Sequence, residues 1–216
     1  MMCSYLLHRD DGAADALCFG LQRIPSIGEL QDYLEMAWEA GFDVEGARQL
    51  GNRVKGTTKW IGTTECAALL RMFGFRALIA DFKITESNKG SLLEWVWNYF
   101  SQGGEADLAQ TMTISSRSPL YFQHEGHSRI IVGVEKLTRP PLAVEEITLL
   151  VLDPNISRQS VYDAMENASG WQQLVRRSKD TLRNSEYQLL WVGDGIAQAE
   201  EKEGLKMMHA IERHGF

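Results

Sequence analysis

Cysteine is scarce in this chain of 216 residues, which holds only Cys3, Cys18 and Cys66. Their number and spacing offer neither a disulfide framework nor a CxxC metal element, so reducing conditions fit, and no metal or other cofactor is expected. Prolines number only five, and no apolar run approaches the roughly 20 residues that a helix needs to cross a bilayer. The start reaches His8, Arg9 and Asp10 without a basic leader, so it reads as neither a signal peptide nor an anchor, and cytoplasm or nucleus is the expected location. Basic residues are also outnumbered, 22 Lys and Arg against 29 Asp and Glu, for a net charge of −7. That balance argues against a phosphate-coating nucleic-acid binder and favours a protein partner, with no membrane contact. What remains is 44% hydrophobic, enough for one substantial core.

Helical periodicity dominates the first half. Ser26 and Glu29 have the spacing of a capping box, followed by Leu30, Leu34, Ala37 and Trp38 on one face. Val44, Ala47 and Leu50 predict a short helix. From Thr63, the positions Cys66, Leu69, Leu70 and Phe73 predict another, ended by Gly74. Phe75 to Phe82 reads as a buried strand, and Leu92, Leu93, Val96 and Phe100 as the face of a further helix that stops at Gln102 to Glu105. Strands are then expected near 119–123, 127–135 and 146–153, with Lys136 to Val144 as a proline-bearing link. A helix over 157–168 and a strand over 186–192 follow. Helices first and strands clustered later predict an α+β domain, with residues 196–216 as a charged helical tail.

The chemistry concentrates at His127 and Asp153. His127 stands where a polar cluster gives way to an apolar strand, and Pro154 ends the other strand because it cannot donate to a ladder, leaving Asp153 at the carboxyl end. An imidazole and a carboxylate on neighbouring strands are two parts of a thiol-protease triad, with Asp153 fixing the ring of His127. Read from the residues alone, such a pair is more often a strand-end histidine and a turn-forming Asp-Pro. His124 competes with His127. A separation of three puts the two on opposite faces of an extended strand, unless Gly126 shifts the phase by a bulge, and His127 is preferred because it directly precedes the strand. No cysteine is a convincing nucleophile. Cys66 reads as helix core, Cys18 follows an alanine-rich stretch, and Cys3 alone comes near the helix start that favours a thiolate. Trp60 and Gly62 read as an aromatic packing residue and a helix-entry glycine, or as a wall of a substrate groove that His124 and Gly126 would continue.

Three ordered segments carry a resemblance: Lys59 to Glu65 (KWIGTTE), Gln123 to Arg129 (QHEGHSR) and Leu152 to Pro154 (LDP). Ile24 to Gln31, Trp38 to Asp43 and Leu50 to Thr57 extend it over almost the whole chain. Together they resemble the catalytic domain of the cysteine peptidase family that comprises ubiquitin-fold-modifier-specific proteases and zinc-finger-containing ubiquitin peptidases, closer to the latter. The resemblance implies a papain-like α+β domain over 1–195, with a central, mostly antiparallel sheet packed by helices. It implies His127 as base, Asp153 as its orienting carboxylate, and hydrolysis at the C-terminus of ubiquitin, polyubiquitin or the ubiquitin-fold modifier. The family's Gly-Trp-Gly-Cys-Gly-Tyr-Arg-Asn-like nucleophile segment has no counterpart here, so the expectation for 1–216 is an inactive domain. The alternative is a non-catalytic module that binds ubiquitin or a relative of it.

Overall fold

The computed structural model describes residues 2–9, 23–102, 112–139 and 144–216. It is an α+β protein whose described strands form a seven-stranded, mostly antiparallel sheet. The chain divides into two compact units: residues 1–81 with 188–213, and residues 82–187 with 214–216. Among the described residues, no helix is long and apolar enough to cross a membrane.

Unit one begins with α1 (Met2–Leu6), α2 (Ile27–Glu39), α3 (Val44–Gln49) and α4 (Thr63–Met72). The capping box at the start of α2 forms as expected. Ser26 Oγ accepts from the Glu29 amide at 3.3 Å, and the Ser26 amide donates back to Glu29 Oε2 at 2.7 Å, satisfying amides that a helix start leaves orphaned. Leu34, Ala37 and Trp38 are the buried face of α2, and Ala67, Ala68 and Leu70 that of α4. Edge-to-face packing of Tyr33 on Phe73, with centroids 5.2 Å apart, joins the two. Each fully buried leucine of this kind contributes roughly 1.5–3 kcal/mol.

Gly74 (φ +88°) ends α4 in a left-handed turn, and a Cβ there would lie 2.9 Å from Ile196 Cγ2, so the position admits glycine only. The chain enters β1 (Phe75–Lys83) directly afterwards. Within the sheet, β6 (Glu186–Ile196), β1 and β7 (Glu212–His214) are successive neighbours. The charged tail expected to be helical over 196–216 is so only at α8 (Ala199–Gly204). Its last residues contribute β7 instead, because the free edge of β1 offers backbone partners that a polar helix would leave unused.

Unit two places α5 (Ser91–Ser101) against β3 and β4 through Leu92, Leu93 and Val96. Its strands are β2 (Leu120–His124), β3 (His127–Arg139), β4 (Val144–Leu152) and β5 (Arg176–Arg177), adjacent in that order. All three pairings are antiparallel. The expected link from 136 to 144 is shorter than the sequence suggested. Pairing persists from Lys136↔Ile147 to Arg139↔Val144, since ladder hydrogen bonds outweigh the weak strand preference of charged residues. Pro140 and Pro141 lie outside the described residues, as do Cys18 and residues 103–105. Helix α6 (Arg158–Glu166) occupies the expected segment. The short α7 (Trp171–Val175) and β5 carried too little periodicity to be anticipated.

Candidate active site

The cluster is built on the β2–β3 hairpin. Glu125 (φ +46°) and Gly126 (φ +76°) both occupy the left-handed region, as a two-residue type I′ turn requires, and a glycine in the second position makes that turn accessible. The turn pairs His124 directly with His127 and Phe122 with Arg129. Residues opposite one another in an antiparallel pair share a face. His124 and His127 are therefore on the same face, with ring centroids 6.0 Å apart. Opposite faces are expected only of a continuous extended strand; here the chain reverses at Glu125 and Gly126 instead.

Asp153 follows the last residue of β4 and meets Arg129, whose Nε donates to Asp153 Oδ2 at 2.5 Å. Because His127 precedes Arg129 by two residues on β3, the strand alternation puts His127, Arg129 and the paired His124 on one face, and the Arg129 bond brings the Asp153 carboxylate to that face. Asp153 Oδ1 accepts from the Asn155 amide at 2.9 Å, the local turn expected of Asp-Pro-Asn. Burial pushes the Asp153 carboxyl up, but the Asn155 amide and the Arg129 guanidinium outweigh it, and its pKa is held below the ordinary value. A carboxylate has about four lone-pair positions, so these two bonds leave it acceptor capacity.

His124 is chemically committed. Arg129 Nη1 donates to its Nε2 at 2.5 Å, and a guanidinium has no acceptor, so Nε2 must carry the lone pair. The ring is then neutral with its proton on Nδ1. The Asn184 Nδ2 faces that Nδ1; a neutral ring cannot accept at both nitrogens, so the carboxamide is assigned the reversed orientation, with Oδ1 accepting the Nδ1 proton. Burial first, then the charges of Arg129 and His127, hold the His124 pKa below its ordinary value. Phe122 and Tyr187 stack beside it, with centroids 5.4 Å apart and planes 12° apart. With its lone pair occupied, His124 is a poor base, whereas His127 is exposed at the start of β3.

The structure thus places His124 and His127 side by side across the turn that holds Gly126, and links Asp153 to the same face through Arg129. Trp60 and Gly62 belong to unit one, where Trp60 is 72% exposed and the Gly62 amide donates to Glu65 Oε2 at 2.6 Å at the start of α4. Cys3 and Cys66 are half-buried thiols of α1 and α4 in the same unit. Among the described residues, no group of three or more His, Cys, Asp or Glu side chains could hold a metal ion. Arg129, Asn184 and Tyr187 were not singled out from the sequence. Arg129 was accessible through the two-residue alternation from His127, but Asn184 lies 60 positions from its partner in a segment with no pattern.

The sequence of peptidase family C78 matches residues 1–190. The chain belongs to that family. Its papain-like fold is accordingly the fold of this chain. Among curated relatives, the chain is similar to the zinc finger-containing ubiquitin peptidase 1 of Homo sapiens, 36% identical over 208 residues that cover 94% of this chain and 34% of the relative. The Mus musculus protein of the same name is 34% identical over 200 residues, covering 90% and 33%. The ubiquitin carboxyl-terminal hydrolase mug105 of Schizosaccharomyces pombe is 34% identical over 166 residues, covering 76% and 60%. The chain therefore spans about a third of the length of the zinc finger-containing relatives.

Proposed function

We propose that this chain is the peptidase domain of a deubiquitinase, in which His127 carries the proton and Asp153 orients its ring. The observation that carries the reading is the division of labour between the two histidines: His124 is closed off by Arg129 and Asn184, while His127 stands on the same face as an ionised carboxylate. The names of the relatives favour ubiquitin over the ubiquitin-fold modifier as the protein bound.

In this reading His127 removes the proton of a thiol, and the thiolate attacks the carbonyl carbon of ubiquitin's terminal glycine. The proton then passes from His127 to the leaving amine, and water attacks the acyl-enzyme with His127 again as base. Asp153 stabilises the imidazolium formed at each stage. The two residues hold and move protons but form no acyl bond. Unit two contains no cysteine, so the sulfur must be brought to it.

The test uses a fluorogenic amide of the ubiquitin C-terminus and the polypeptide as expressed from its gene. His127→Ala and Asp153→Ala should each lower kcat about 10²–10⁴-fold, with ubiquitin binding retained. Turnover undiminished in His127→Ala would overturn the assignment. Saturable ubiquitin binding without turnover in any form would instead establish a non-catalytic binding module.

A further inference from the structure

Adjoining the proposed site, and sharing His124 and Arg129 with it, unit two holds a cavity of about 140 Å³ also lined by Phe122, Arg177, Arg183 and Tyr187 among others. Three guanidiniums around one small cavity stand out in a chain of net charge −7. Of the three, among the described residues, only Arg129 lies within ion-pair distance of a carboxylate, Asp153. Among the described residues, Arg177 donates only to the carbonyls of Gln173 and Arg176, and Arg183 only to that of Asp180. The Asp153 charge reaches Arg177 as well, so three guanidiniums share one carboxylate and a net excess of two positive charges remains around the cavity.

Donor capacity is also left over. Arg129 commits its Nε to Asp153 and its Nη1 to His124, so Nη2 has no hydrogen-bond partner among the described residues. The Tyr187 hydroxyl, in a residue only 2% exposed, accepts from the Asn184 amide at 2.8 Å, but its own proton has no acceptor among the described residues. Buried donors of this kind are normally satisfied. A second carboxylate whose charge reaches His124 and Tyr187 is Glu125, which is exposed on the hairpin turn and screened by solvent.

We infer that this cavity is a binding site for a phosphate group, held by Arg129, Arg177 and Arg183 with the Tyr187 hydroxyl. The volume is well below the roughly 300–1,000 Å³ of clefts that take drug-sized ligands, which excludes a nucleotide and fits one tetrahedral oxyanion with its remaining waters. The charge selects phosphate over carboxylate. A phosphate ester carries about −1.5 to −2 at neutral pH and accepts at three oxygens, matching the two uncompensated charges, whereas a carboxylate would leave one unpaired. Planar guanidiniums bind such oxygens in pairs of parallel bonds. The group is either inorganic phosphate or the phosphoryl group of a modified protein.

The experiment is a titration of purified 1–216 with inorganic phosphate at pH 7.5 and constant ionic strength, read from the arginine Nε–H resonances. Saturable shifts at Arg129, Arg177 and Arg183 are expected, with affinity at least tenfold weaker in the Arg177→Gln/Arg183→Gln variant. Arg183→Gln alone, an exposed substitution that leaves the fold unstrained, should weaken it severalfold. Shifts that never saturate, or an affinity that neither variant changes, would overturn the site. Acetate should bind at least tenfold more weakly than phosphate, and equal affinity would overturn the choice of phosphate. A phosphoserine peptide binding at least tenfold more tightly than inorganic phosphate assigns the site to a phosphorylated protein. Equal affinity assigns it to the free ion.

Discussion

Two arginines, one in each unit, show how the same side chain serves structure in one place and chemistry in another. Arg71 of α4 is 3% exposed and directs its donors at backbone: Nε to the Ala77 carbonyl at 2.8 Å, and Nη1 to the carbonyls of Leu205 and Met207 at 3.1 and 2.8 Å. It staples the helix to the start of β1 and to the segment after α8. Arg129 instead directs its donors at two titratable side chains, Asp153 and His124, and its side chain is 18% exposed. Carbonyls do not ionise, so Arg71 can only hold. Carboxylate and imidazole do, so Arg129 also decides which of them carries a proton.

Removing the staple should have the largest effect. Arg71→Met leaves buried carbonyls without donors and the buried Asp43 without the opposite charge that it senses, and should cost about 3–5 kcal/mol in urea unfolding. A loss below about 1 kcal/mol would mean the staple is dispensable. Next is Gly46→Ala in α3. The Asp43 side chain accepts from the Gly46 amide at 3.2 Å, and a Cβ on residue 46 would lie 2.2 Å from Asp43 Oδ2. Displacing that buried carboxylate should cost about 1–3 kcal/mol.

Arg129→Met should cost less, about 1–2 kcal/mol, yet change the chemistry more. The Asp153 pKa should rise as it loses its guanidinium, and that of His124 should rise as a repelling charge disappears, both readable by NMR titration. Unchanged values would make Arg129 a second staple. The smallest effect is a pH slope. Because the folded His124 pKa lies below the unfolded value of about 6.5, the unfolded chain takes up the proton first. Its contribution is full above about pH 6.5 and declines as pH falls below it. His124→Gln should flatten that part of the stability profile. Asp153, also depressed, acts later: its contribution is lost only as pH falls below about 4.

Much of this was legible in the chain. The capping box at Ser26, the glycine stop at Gly74 and the Asp-Pro stop at 153–154 are local features, and local features survive tertiary context. His127 and Asp153 stand out as candidates because each stands at a strand boundary. The relation of His124 to His127 was misjudged, since facing across a hairpin depends on where the chain reverses, and the left-handed conformation of Glu125 gave no warning. Asn184 and Tyr187 were invisible for a different reason: their roles come from stacking and hydrogen bonds across β2 and the start of β6, which leave no periodic trace. The β5 edge, two residues long, is too short for any alternation.

The division between the two histidines is tested most directly by long-range ¹H–¹⁵N correlation of the imidazole rings in purified 1–216 at pH 6.5. His124 should appear as a neutral ring protonated at Nδ1, with Nε2 as the acceptor, and should move toward the charged form only in Arg129→Met. An imidazolium at His124 in the unaltered protein, or a proton on its Nε2, would contradict the account.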